Sequence, residues 1–112
     1  MVQYQSDLSR SFAALADPTR RGILGRLSRG DASITDLAAR FDMSLTGMKK
    51  HVQILEEAHL VTSEKVGRVR TCRLGPYRLE EELRWIADYR GHLEARLDSL
   101  GALLDTLNDE ER

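Results

Sequence analysis

SLTGMKKHVQILEEAHLV occupies residues 44–61 and carries two patterns at once. Leu45, Met48, Val52 and Leu55 recur at steps of three, four and three. That spacing predicts a helix whose apolar face packs inward. Ser44 stands where a helix N-cap belongs, and the helix should run to about Ala58. On its other side lie Thr46, Lys49, Lys50 and Gln53, with no carboxylate among them. Glu56 and Glu57 fall only at the far end. Lysine can reach guanine acceptors or phosphates, glutamine can pair with adenine, and threonine offers a hydroxyl or a methyl group. The first turns of such a helix suit a DNA major groove while its end stays outside. The plainer reading of Lys49 and Lys50 is a solvated face. Gly47 costs an isolated helix about 0.5–1 kcal/mol relative to alanine, so it needs a reason. Close approach to DNA is one, and close packing on the preceding helix is another. His51 either touches phosphate or packs at the helix edge.

Upstream, ASITDLAARF spans residues 32–41. Ser33 can cap a helix, with Asp36 three residues on in capping-box spacing. Ile34, Leu37, Ala38 and Phe41 line its inner side, and Asp42-Met43 makes a tight turn into the next helix. Two short helices so joined form a helix-turn-helix candidate. Before them, LADPTRRGIL at residues 15–24 supplies Asp17 as N-cap and Pro18 at the first helical position. Ile23, Leu24 and Leu27 make that helix's stripe, and Gly30-Asp31 ends it. Leu8, Phe12 and Leu15 predict a first amphipathic helix over residues 7–16.

Downstream, VTSEKVGRVRTCRL at residues 61–74 reads as a β-hairpin turning around Val66-Gly67. Lys65, Arg68 and Arg70 surround the turn, a cationic tip suited to flanking phosphate or minor groove. After Gly75-Pro76 the pattern is helical from Tyr77 to about Asn108, as one helix or as two if it kinks at Gly91. Positions 79, 83, 86, 90, 93, 97, 100, 104 and 107 alternate steps of four and three, and all but Arg90 are Leu or Ile. This heptad-like seam is too long for so small a domain to cover alone. It predicts packing partly on the first helix and partly on a second copy. The expected interface residues are Leu8, Phe12, Leu83, Ile86, Leu93, Leu97, Leu100 and Leu104.

With 112 residues, 41% of them hydrophobic and 31% charged, the chain fits one folded domain over 1–112. Helices and hairpin would fill 7–74, and the long helix 77–108. Net charge is only −1, but residues 44–73 hold six Lys/Arg against three Asp/Glu, and residues 76–112 hold five against ten. A basic centre beside an acidic tail is compatible with local phosphate contact. No apolar run is long enough for a membrane span, and MVQYQSDLSR lacks a signal-peptide core. Cytoplasmic location follows as an expectation. Cys72 is the single cysteine; beside Leu74 on a strand it reads as a small buried hydrophobe rather than a redox sensor. His59 and His92 lack ligand-spaced partners, so neither metal nor cofactor is expected. No phosphate loop, nucleophile elbow or catalytic triad spacing is present, which argues against an enzyme.

Taken together, LADPTRRGIL, SLTGMKKHVQILEEAHLV and GRVRTCRL resemble the ArsR family of winged helix-turn-helix repressors, over nearly the whole chain. The resemblance implies a mainly helical fold with a small hairpin, ordered α-α-α-α-β-β-α. It also implies a homodimer, two recognition helices in successive major grooves of double-stranded DNA, and a pseudo-palindromic operator. The DNA-facing set would be Ser44, Thr46, Gly47, Lys49, Lys50, His51, Gln53, Lys65, Arg68 and Arg70. Many family members sense metal through a Cys-x-Cys pair that ASITDLAARF lacks. Others use Asp and His pairs on the last helix, where this chain has Asp88 and His92 but no second histidine. It therefore looks like a subgroup without metal-sensing cysteines, and no effector can be named. His59 stands where the family often has glycine, which suggests a differently built helix end. The competing readings are a helical dimer acting through protein partners without DNA, and a metal-responsive repressor.

Overall fold

Local hydrogen bonds set the starts of three helices. Asp17 accepts from the Arg20 amide and starts α2 (Pro18–Leu27); Ser33 accepts from Asp36 and starts α3 (Ile34–Arg40). Ser44 accepts from Gly47 and starts α4 (Leu45–Glu57). Each bond satisfies an amide that the helix itself leaves without a partner. The computed structural model describes residues 2–110, and within them the side chains of residues 7–109. The first helix, α1 (Val2–Leu15), begins earlier than the predicted 7–16. Its C-terminal carbonyls are capped from α2. Arg20 donates from Nε to Ala14 O at 2.8 Å and from Nη2 to Ala13 O at 2.9 Å, and Arg21 donates to Leu15 O at 2.7 Å. Two guanidinium groups thus meet the negative end of the α1 dipole, which gives Arg20 and Arg21 a structural task.

Three strands form one antiparallel sheet in the order β1-β3-β2: β1 (Ala32–Ser33), β2 (Val61–Val66) and β3 (Val69–Leu74). The predicted order lacked β1, so the observed order is α-α-β-α-α-β-β-α. Two residues are too few to show strand periodicity, and their partners Cys72 and Thr71 lie far along the chain. The hairpin turns one residue later than expected. Val66 pairs with Val69, and Gly67 takes a φ of 63° at the first of the two turn positions, the II′ pattern.

Ile23 and Leu27 of α2, Ile34 and Leu37 of α3, and Met48, Val52 and Leu55 of α4 are buried against Ala32, Val61 and Cys72 of the sheet. Each large aliphatic side chain gains about 1.5–3 kcal/mol from that burial. Packing therefore outweighs the smaller propensity cost of Gly47 and fixes the rotation of α4. Leu45 departs from the expectation of an inward face, being 44% exposed in the first turn.

His59 was expected to build an unusual helix end, and it does not. It takes the left-handed φ of 63° itself. Its amide bonds Glu56 O, and the Leu60 amide bonds Leu55 O, both at 2.9 Å, which is a Schellman cap with histidine in the glycine position. Gly75 then lies hard against this cap. A Cβ there would stand 2.5 Å from His59 O, and the Gly75 amide bonds Leu60 O.

The chain divides into two compact units, the first ending at Arg78 and the second beginning at Leu79. The second is α5 (Glu80–Glu110), one uninterrupted helix across Gly91. It starts at Glu80 rather than Tyr77 because Leu79 has a φ of 59° and serves as the cap, its carbonyl accepting from Leu83. Three glutamates fill the first turn, where the dipole favours them.

Candidate nucleic-acid interface

The turn joining α3 to α4 is itself a Schellman cap. Asp42 is left-handed, and Met43 donates to Ala38 O at 2.9 Å. This fixes α4 against α3 and leaves Thr46, Lys49, Lys50 and Gln53 exposed on its outer side. Gln53 rests on Glu57, Nε2 to Oε1 at 3.3 Å, along the helix surface. Ser44 is exposed, with its hydroxyl engaged by Gly47 N at 3.0 Å. A Cβ on Gly47 would meet Ser44 Oγ at 3.2 Å and Met43 Cε at 3.3 Å. The crowding at this glycine thus comes from the helix's own cap and the turn before it.

His51 is turned the other way. Its Nδ1 lies 3.3 Å from Arg20 Nη1 and 4.0 Å from Asp17 Oδ2, and its side chain is 19% exposed. The Nδ1 edge of the ring is committed to the start of α2. The Asp17 carboxyl is held below its ordinary range, chiefly by the Arg20 amide and then by the Arg20 and His51 charges.

The hairpin brings its cations to the same region by register. Val61, Ser63 and Lys65 stand opposite Leu74, Cys72 and Arg70. Cys72 is fully buried, so Lys65 and Arg70 extend the inward face of the sheet beyond the core. There they meet the first turns of α3 and α4. Ile34, Thr35, Leu45, Lys49, Lys65, Arg68 and Arg70 line a cleft of about 290 Å³. Four cations and no carboxylate line it. Lys65 and Arg70 are direct cross-strand neighbours. Such like-charged pairs destabilise a hairpin, and an anion seated between them removes that repulsion.

Behind the cleft, Arg70 Nη1 donates to Ser63 Oγ at 3.0 Å, and Ser63 Oγ donates to Glu56 Oε1 at 3.0 Å. Beneath them the Cys72 thiol is pushed up to about 11, by burial first and by Glu56 second, against a smaller pull from Arg70. It is a protonated, inert thiol at neutral pH.

The structure thus brings Lys49, Lys65, Arg68 and Arg70 into one cleft and leaves Thr46, Lys50 and Gln53 on the adjoining helix face. Sequence reasoning missed Thr35 and Leu45 in the cleft wall, and Ser63 behind Arg70. Period-two counting from Cys72 reaches Arg70, and pairing across a two-residue turn would have put Ser63 on the same face. Of the expected interface residues, Leu8 and Phe12 are half-buried. Along α5, Leu83, Ile86, Leu93, Leu97, Leu100 and Leu104 are 45–65% exposed. Arg90, the break in the stripe, bonds Glu94 at 3.0 Å. Among the described residues no three metal-ligating side chains converge, and no helix is long and apolar enough to cross a membrane.

This chain is similar to known proteins. A family profile described as a helix-turn-helix domain matches residues 15–64. RHA00566, an ArsR family transcriptional regulator with a crystal structure, is 44% identical. That match covers 84% of this chain and 97% of the other, with a TM-score of 0.75. The HTH-type transcriptional regulator Rv2034 of Mycobacterium tuberculosis is 36% identical, over 68% of this chain and 70% of its own. The transcriptional repressor SdpR of Bacillus subtilis is 29% identical, over 73% and 91%.

Proposed function

Because this chain belongs to the ArsR family of winged helix-turn-helix transcriptional regulators, we propose that it is a dimeric repressor that binds duplex DNA through α4 and the β2–β3 wing. It regulates rather than catalyses, and it acts in the cytoplasm. The observation that carries the reading is the junction of the first turns of α4, where Thr46, Lys49 and Lys50 are exposed with no carboxylate among them, with a four-cation cleft. The cleft receives a backbone phosphate, which offsets the Lys65–Arg70 repulsion. Thr46, Lys50 and Gln53 then face base edges in the major groove, where bidentate and hydroxyl contacts discriminate sequence. Lys49 belongs to the phosphate seat more than to the bases, because it lines the cleft. His51 supports α4 from behind through Arg20.

Two copies paired along the apolar stripe of α5 carry two such surfaces, and the site expected for them has half-sites about 34–36 Å apart, one turn of B-form DNA. The symmetry of the pair demands a pseudo-palindromic site.

The test is a gel shift on duplex from the protein's own upstream region, over a salt series. The double charge reversal R68E/R70E should weaken binding on every sequence. It should also lower the salt slope by about 0.9 for each phosphate no longer neutralised. Unchanged affinity and slope would remove the wing from the interface.

A further inference from the structure

We propose that Ser63 and Glu56 are positioning residues for Arg70, forming a relay that holds the wing's guanidinium in the phosphate seat. The inference rests on the reading of the cleft as that seat. Neither residue lines the cleft itself. The relay has a defined direction. A serine hydroxyl has one proton. Here it is donated to Glu56 Oε1, and an oxygen lone pair is left to accept from Arg70 Nη1. Glu56 fixes the hydroxyl, and the hydroxyl fixes the guanidinium. One N–H of Arg70 is used and the others remain for an anion.

Two further features agree with this. Glu56 lies in the last turn of α4, where the helix dipole disfavours a carboxylate, and its bond to Ser63 supplies a compensating partner. It is half-buried, unlike the exposed Glu57 beside it. The register also gives the relay a rigid base. Ser63 pairs with Cys72, which is fully buried, so the hydroxyl sits over the core and not at the tip of the hairpin. A free arginine must surrender its rotamers when it binds phosphate. One already tethered has surrendered most of them on folding, so binding is tighter. The relay also couples the wing to the helix that faces the bases, because Glu56 belongs to α4.

The experiment measures binding to a labelled 30-bp random-sequence duplex by fluorescence anisotropy, with thermal midpoints as the folding check. S63A should weaken binding by roughly two- to tenfold, the scale of one immobilised long side chain. S63T, which restores a hydroxyl, should recover it. E56Q keeps an oxygen for the hydroxyl and should fall between wild type and S63A. In an R70A background, S63A should change nothing further, which a merely structural role would not produce. If R70A weakens binding while S63A does not, or if S63A tightens it, the relay is wrong and the phosphate seat survives. If R70A leaves the affinity intact, the seat itself is wrong and the relay falls with it.

Discussion

Cys72 and His59 each occupy a position that another residue type would fill at a different energy. The Cys72 thiol ionises near 9.0 when free and at about 11 in the fold. Between those values the unfolded chain releases its proton while the folded one keeps it. Stability is therefore fully present below pH 9 and declines as pH rises toward 11. Relative to C72A, wild type should lose roughly 2 kcal/mol between pH 8 and pH 10.5. Urea midpoints at the two pH values for both proteins check this, and equal pH dependence would count against it. His59 holds a left-handed backbone at a helix end, a region costly for residues with a Cβ. H59G removes that strain but gives the unfolded chain more freedom. The net gain should be about 0.5–1 kcal/mol of stability, read as a higher urea midpoint at constant m-value. H59A should give no such gain.

At the scale of elements, the proposed docking divides the work between α4 and the wing. Contacts with phosphate carry no sequence information, whereas contacts with base edges do. Replacing Thr46 or Lys50 with alanine should shift the preferred sequence by about 1–3 kcal/mol at one or two base pairs. The wing changes should lower affinity evenly. Selection from a random duplex pool, followed by sequencing, separates the two effects. An unchanged motif for both alanine variants would place base reading elsewhere. The helix starts were legible because Asp17, Ser33 and Ser44 each reach an amide three residues on, a wholly local bond. The strand β1 was not, because it exists only through Cys72 and Thr71.

For the whole molecule, the exposed stripe of α5 is the feature that a single copy leaves uncovered. Leu97 is 65% exposed, so L97E should leave the helix-turn-helix unit folded. It should shift sedimentation from dimer toward monomer. Operator affinity should fall by about 10²–10⁴, because the second half-site no longer benefits from tethering. A variant that stays dimeric and binds fully would move the interface off this stripe.

The order of the helices, the N-caps of α2, α3 and α4, the hairpin and the separation of cationic from apolar faces could all be read from the residues in order, since each depends on neighbours within a few positions. Such reading could not show that Leu45 stays exposed, that His51 turns to Arg20, or that His59 adopts the strained cap. Nor could it join Lys49, Lys65, Arg68 and Arg70 into one cleft with Ser63 and Glu56 behind it. Apart from the local backbone choice at His59, those facts depend on how α4 packs against its neighbours and how β2 registers with β3. Packing over the core sets the first and acts between residues far apart in the chain, whereas the register follows from where the hairpin's two-residue turn falls, one residue later than the sequence suggests.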